Sequence, residues 1–352
     1  MKIICLLGFF ALACATSEAQ TNSYSAAPIV DNTQDQYLIN PWGISRPADR
    51  SLGENEWWVS DNGTGVSTLY SVNKSGSQSL SPLVITIPTA SGGGVGSPTG
   101  TAYNGTGGPG PGANNFTFAT LDGTISSWNA GTKPPPGGTS CYECHVANSA
   151  IVVNHSSSGA SYFGLALATN AATGLPVYYA TNFNGNVEAY DAATFAPVTL
   201  SGKFSDKKIP TSYRPYGIQA IGKEIWVSFF NRTAGGGYVD AFDTDGKLKV
   251  RLETGSFSEP WGLAQAPSNF GLFSKMILVG NTTSGMIGAY NPKTGAFAGF
   301  LEDSSGQAIV IPGLWGIGFG DGNKKDGPTN ALYYANGGST YSTGVFDVIT
   351  AN

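Results

Sequence analysis

Apolar and polar positions change over in short bursts along the chain, and the bursts repeat. An aromatic or polar residue, a glycine and then usually an aliphatic residue recur six times: Trp42-Gly43-Ile44, Thr99-Gly100-Thr101, Phe163-Gly164-Leu165, Tyr216-Gly217-Ile218, Trp261-Gly262-Leu263 and Trp315-Gly316-Ile317. The glycines are spaced by 57, 64, 53, 45 and 54 residues, and Pro41, Pro98, Pro215 and Pro260 precede four of the copies. Behind each copy comes a near-continuous apolar run that closes on small or polar residues, such as Trp57 to Asp61, Val177 to Asn182 and Met276 to Asn281. Runs of that length predict strands buried on both faces. A third pattern follows: Gly, any residue, Ile or Val, two more residues, an aromatic, then Asp or Asn. It is clean at Gly123 to Asn129, Gly185 to Asp191, Gly237 to Asp243 and Gly285 to Asn291, and looser at Val66 to Tyr70 and Gly344 to Asp347. The closing Asp or Asn opens a hairpin turn, as in Asp243-Thr244-Asp245-Gly246, and a weaker strand such as Leu248 to Leu252 lies beyond it.

Each repeat is thus four strands, close in length to a propeller blade. A single blade cannot bury both of its faces; stacking six about an axis does so and leaves short, protected edges. The fold class expected is all-β, a six-bladed β-propeller of four-stranded antiparallel blades. The chain stops after Val348-Ile349-Thr350, so the sixth repeat lacks its fourth strand, and Ala26 to Val30 is a spare strand that can supply it and close the ring. Pro28 fits such a strand because it lies at a sheet edge.

Composition narrows the chemistry. The 352 residues are 41% hydrophobic and only 12% charged, with 49 Gly, and carry a formal net charge of −5. That balance argues against disorder and lacks the basic footprint of a nucleic-acid binder, so no nucleic-acid partner is expected. The N-terminus reads as a secretory leader: Lys2, an apolar run from Ile3 to Ala13, then Ser17-Glu18-Ala19 before the expected cleavage. The run is too short to span a bilayer and no later stretch is longer, so no transmembrane segment is expected. The domain reading is therefore a leader over 1–19 and one propeller over 20–352, with a Gly/Pro-rich inserted loop at about 131–150, in a secreted or periplasmic protein.

Asn40 to Ile44, Phe118 to Asn129, Gly237 to Gly246 and Glu259 to Ala264 together resemble a family of uncharacterised secreted bacterial six-bladed propellers, related to NHL-repeat and gluconolactonase-like propellers. The resemblance runs from about residue 25 to the C-terminus. It implies export and the propeller fold, and it brings no established activity and no catalytic residues.

Three sets of residues could carry chemistry. The second run ends on Asp61, Leu121, Asn182, Phe229, Asn281 and Asn336; Asp61 with the three asparagines would present oxygens to the axis, suiting a calcium-like ion and a lactone or ester hydrolase. Asp and Asn also close strands and start turns, which is the competing reading. Trp42, Phe163, Tyr216, Trp261 and Trp315 precede the motif glycine and either form an aromatic mouth for a flat ligand or a sugar, or wedge between blades as packing. Cys141-Tyr142-Glu143-Cys144-His145 matches the C-x-x-C-H pattern of covalent c-type haem attachment; a disulfide or free thiols are the alternatives. With two histidines in the chain, a multi-histidine metal centre is excluded. The leading expectation is an exported propeller that binds an extracytoplasmic ligand or protein, with the hydrolase and the haem redox protein as alternatives.

Overall fold

The computed structural model describes residues 21–47, 55–105, 115–129 and 146–352; the leader expected over 1–19 lies outside them. Six small sheets, five of four or more strands and one of three, are arranged as blades around one axis, as the repeat predicts. The innermost strands are Pro41–Ser45, Pro98–Asn104, Tyr162–Thr169, Arg214–Ile221, Pro260–Gln265 and Leu314–Phe319. Each pairs antiparallel with the apolar run that follows it, for example Trp57–Asp61 in blade 1 and Ile277–Asn281 in blade 5. Those second strands are buried at every position in both blades, because a blade packs against each of their faces. Accordingly, the core is divided. One cluster, containing Leu278, Ile287, Leu332 and Ile349, lies between blades 5 and 6, and equivalent clusters fill the other five boundaries.

The ring closes through the N-terminus. Tyr24–Asp31 pairs antiparallel with Val345–Ala351 as the outer strand of blade 6, from Tyr24 opposite Ala351 to Asp31 opposite Val345. The register slips between Ala27 and Val30, where Pro28 could not donate to a regular ladder. The same strand reaches blade 5: the Tyr24 hydroxyl donates to Phe270 O at 3.1 Å and accepts from Phe273 N at 3.1 Å.

Two blades depart from the four-strand repeat. Blade 1 carries an additional parallel strand, Val146–Asn148, against Val84–Thr86. Blade 3 stops at three strands, Tyr162–Thr169, Pro176–Asn182 and Val187–Asp191. The segment after it turns back through a single bridge, Tyr190 to Pro197, flanked by Asp191 N to Ala196 O and Val198 N to Ala189 O, and then leaves the strand.

The motif glycine explains how the inner strands meet. In all six blades the register of the inner strand shifts at this point, as between Pro41 and Ile44 or between Pro215 and Ile218. A Cβ on Gly43 would be driven into Thr99 O, on Gly100 into Leu165 N, on Gly217 into Trp261 O, on Gly262 into Trp315 O and on Gly316 into Trp42 O, and on Gly164 it would press on Ile218. Each of these contacts crosses to the next blade. The glycines therefore mark bulges where neighbouring backbones touch.

Blade 4 buries an unusual carboxyl group. Asp240, on its third strand, is 2% exposed. Burial first, and then the charge of the nearby Asp206, push its pKa up to about 7, with Arg251 acting in the opposite sense. Asp206 holds the Arg251 guanidinium in an ion pair and is lowered by it.

Two outcomes test this architecture. Gly217→Ala should cost about 2 kcal/mol or more in urea unfolding, through overpacking against backbone, whereas Gly93→Ala, where a Cβ meets nothing, should change stability little. For Asp240, the folded protein holds a proton above the unfolded value of 3.8. Stability should therefore fall as pH rises from about 4 to about 7, by up to about 4 kcal/mol, and level off above. Urea titrations at a series of pH values should show that slope shrink in Asp240→Asn; an unchanged slope would remove Asp240 as its cause.

Candidate functional site

All six inner strands run in the same direction along the axis, so equivalent positions form layers. The layer before the motif glycine brings Trp42, Phe163, Tyr216, Trp261 and Trp315 together with Phe230 in one buried cluster. Trp42 stacks on Trp315 with centroids 3.6 Å apart, and Trp261 meets Trp315 edge-on at 5.8 Å. Phe163 and Tyr216 lie 5.0 Å apart. The Trp261 indole donates across the axis to Phe163 O at 3.0 Å, and the Trp315 indole donates to Asn40 Oδ1 at 3.2 Å. Arg232 covers the outer side, 4.8 Å above the Phe183 ring and 5.4 Å above Phe163. These rings are spent on one another, and they plug the axis at this end.

Beneath the plug, the glycines and the aliphatic residues that follow them constrict the channel to about 20 Å³, room for about one water. It then opens into a funnel of about 450 Å³ at the other end of the ring. Ile44, Leu263 and Ile317 lie at its narrow end, and Ala102, Ala166 and Ala264 continue the wall. Small side chains here leave the space open. Polar groups come from the last positions of the inner strands. Ser45 and Thr101 share a hydrogen bond of 3.2 Å. Gln219 and Gln265 are exposed into the funnel, joined by Tyr103 and Arg46.

Arg46 is committed to the protein. Its Nε donates to Phe319 O at 3.0 Å, and its guanidinium lies 3.3 Å from the Asp326 carboxylate and 5.6 Å from the Trp57 ring centre. Asp326 is fully buried and also accepts from Asn323 N. Among the described residues that line the funnel there is no carboxylate, imidazole or thiol. The loops 48–54 and 106–114, which follow the inner strands of blades 1 and 2, lie outside the described residues.

The oxygen-bearing ring expected from sequence sits at the plug end, at one register level. Asp61 is opposite Pro41, Asn182 opposite Tyr162, Asn281 opposite Pro260 and Asn336 opposite Leu314. Register places Thr120, opposite Pro98, at this level in blade 2 where the sequence pattern puts Leu121. Each of the four side chains bonds locally. Asn182 Oδ1 accepts from Ser161 N and Asn184 N, Asn281 Oδ1 from Ser258 N, and Asn336 Oδ1 from Gly338 N. Asp61 is fully buried and accepts from the Thr68 hydroxyl at 2.8 Å; burial, and then the charge of Asp35, raise its pKa well above the carboxylate range. A fully buried carboxyl group whose charged form is disfavoured by burial and three amides engaged in turns do not fit a calcium ion. No group of three or more His, Cys, Asp or Glu among the described residues could hold a metal. Cys141, Cys144 and His145 lie outside the described residues. Within the described residues no helix is long and apolar enough to cross a membrane.

Sequence reasoning did not single out Ser45, Arg46, Tyr103, Gln219 and Gln265. Their signal was positional: all stand two or three residues after a motif glycine, where the inner strand leaves the constriction.

Fold and site together define a six-bladed propeller with one plugged and one open end. Two uncharacterised proteins of Acanthamoeba polyphaga mimivirus are similar in sequence. One is 32% identical over 213 residues, 57% of this chain but only 37% of that protein's length. The other is 28% identical over 305 residues, 80% of this chain and 74% of that protein. The bacterial family expected from the motifs is not supported, since these relatives are viral; no family model matches the chain. Among solved structures, a glucose dehydrogenase superposes with a TM-score of 0.55 at 10% identity, covering 93% of this chain and 99% of that one. The Dos1 propeller gives 0.46 at 10% identity, covering 85% and 76%. At such identities the glucose dehydrogenase match speaks for the fold alone.

The plug is expected to be structural. Trp315→Ala should cost about 3–5 kcal/mol in denaturant unfolding, as for other buried large-to-small changes; a loss below about 1 kcal/mol would mean that stacking at the axis does not hold the ring.

Proposed function

We propose that the protein is an exported ligand-binding module whose axial funnel takes a small, uncharged molecule with an apolar face and hydroxyl or carbonyl groups, such as a neutral sugar. The observation that carries this reading is the funnel's lining. It is closed at its base, apolar in its lower part and edged by amides and hydroxyls, and the Arg46 cation is already paired with a buried aspartate. A pocket of this kind buries an apolar ring face and orients it through a few polar groups. Among the described residues that line the funnel there is no carboxylate, imidazole or thiol, and no cation without a partner. Export rests on the leader pattern over 1–19; cleavage after Ala19 leaves the ring-closing strand, which begins at Tyr24, intact.

A thermal-shift panel of neutral sugars and lactones, followed by calorimetry on the hits, tests the reading. Gln219→Ala and Gln265→Ala should each weaken a hit by about five-fold, the value of one hydrogen bond, and Ala220→Trp should abolish binding by filling the funnel. A hit bound equally well by Ala220→Trp, or a panel in which only charged compounds bind, would refute it.

A further inference from the structure

Blade 3 leaves part of a sheet edge open. Along its third strand, Asn182 N donates to Asn186 O on the inner side, while Ala189 O accepts from Val198 N and Asp191 N donates to Ala196 O on the outer side. Alternate residues of a strand share a side, so Val187 also turns its backbone outward. In the other five blades the equivalent position is covered. Ser67 pairs with Ile85, Ile125 with Val153 and Phe346 with Val30, while Val239 O accepts from Leu252 N and Ile287 O from Leu301 N, both at 3.0 Å. Val187 has no such partner among the described residues.

In place of the fourth strand there is a groove of about 520 Å³. Val187, Ala189 and Val198 form its inner wall, and Leu200 and Phe204 its outer wall. The Glu188 carboxylate, which also lines it, is already satisfied: Oε2 accepts from the Tyr162 hydroxyl at 2.6 Å and from Tyr190, with His155 Nδ1 3.3 Å away, and Oε1 accepts from Asn182 at 2.8 Å. Lys203 is exposed on the lip and in no ion pair among the described residues, and exposed Lys207 and Lys208 follow on the same segment.

We propose that this groove binds an extended, acidic segment of a partner protein, which adds to the open part of the blade 3 edge through the N–H and C=O of Val187 and the N–H of Ala189, whose carbonyl is already taken by Val198 N. The ladder supplies the affinity, apolar side chains at every second position enter the groove, and acidic ones meet the lysines of the lip. This site is separate from the funnel and does not depend on the reading given to it.

The probe is an acetylated, amidated, fluorescently labelled Glu-Val-Glu-Val-Glu peptide, followed by anisotropy. Two N-methylated versions, one modified at the valines and one at the glutamates, should part company: one loses at least ten-fold in affinity and the other binds nearly normally, because only alternate amides face the ladder. Lys203→Glu should weaken the peptide by at least five-fold, and Gln265→Ala in the funnel should not affect it. Amide exchange should slow at Val187 and Ala189 when peptide is added. Absence of binding up to about 1 mM peptide, or equal binding of both methylated versions, overturns the proposal. Protection of these two amides that rises with protein concentration alone assigns the edge to a second copy of the chain and overturns it as well.

Discussion

Six backbones must pass within touching distance around one axis, and only a residue without Cβ lets them do so. Each motif glycine faces the main chain of the next inner strand, or in one case a side chain on it, from Gly43 against Thr99 round to Gly316 against Trp42. This contact sets the radius of the ring, and the rest of the axis follows from it. At such a radius the larger residues just before the glycines have nowhere to go but toward each other, and they become the plug. Beyond the glycines the strands diverge, and small residues there leave the funnel open. One steric constraint therefore gives the molecule a closed end and an open end.

The polar groups divide along the same line. Asp61, Asn182, Asn281 and Asn336 at the plug end close strands and hold turns; hydrogen bonds take the three amide oxygens and Asp61 Oδ2, and Asp61 Oδ1 is buried away from solvent. At the open end Gln219 and Gln265 are exposed, with apolar walls around them. Oxygen-rich residues at one register level suggest an ion site only while their partners are unknown. Once the partners are known, the plug end no longer reads as an ion site, and the proposed binding surface lies at the other end, where Gln219 and Gln265 are exposed.

Departures from the repeat are informative in the same way. Five blades cover the outer edge of their third strand and so hide its backbone from solvent, which is how propellers avoid edge pairing. In blade 3 the returning ladder stops after Val198 N reaches Ala189 O, and the chain swings away to form the outer wall of a groove. A basic lip on a protein of net charge −5 then gives that edge a preference among partners.

The number of blades, the inner strand of each and the closure by residues near Tyr24 were legible in the sequence, because repeated apolar runs, a repeated glycine and a missing last strand are local or counted features. The level of Asp61, Asn182, Asn281 and Asn336 was legible too. What these side chains touch was not, since Ser161, Ser258 and Thr68 reach them only through the fold. Nor could the sequence separate an aromatic mouth from packing between blades: Trp42 and Trp315 are 273 positions apart, and their stacking depends on the ring being closed. The funnel and the uncovered edge at Val187 were decided by tertiary structure alone. Both are spaces defined by where strands diverge or fail to pair, and an empty volume has no residue of its own to leave a mark in the chain.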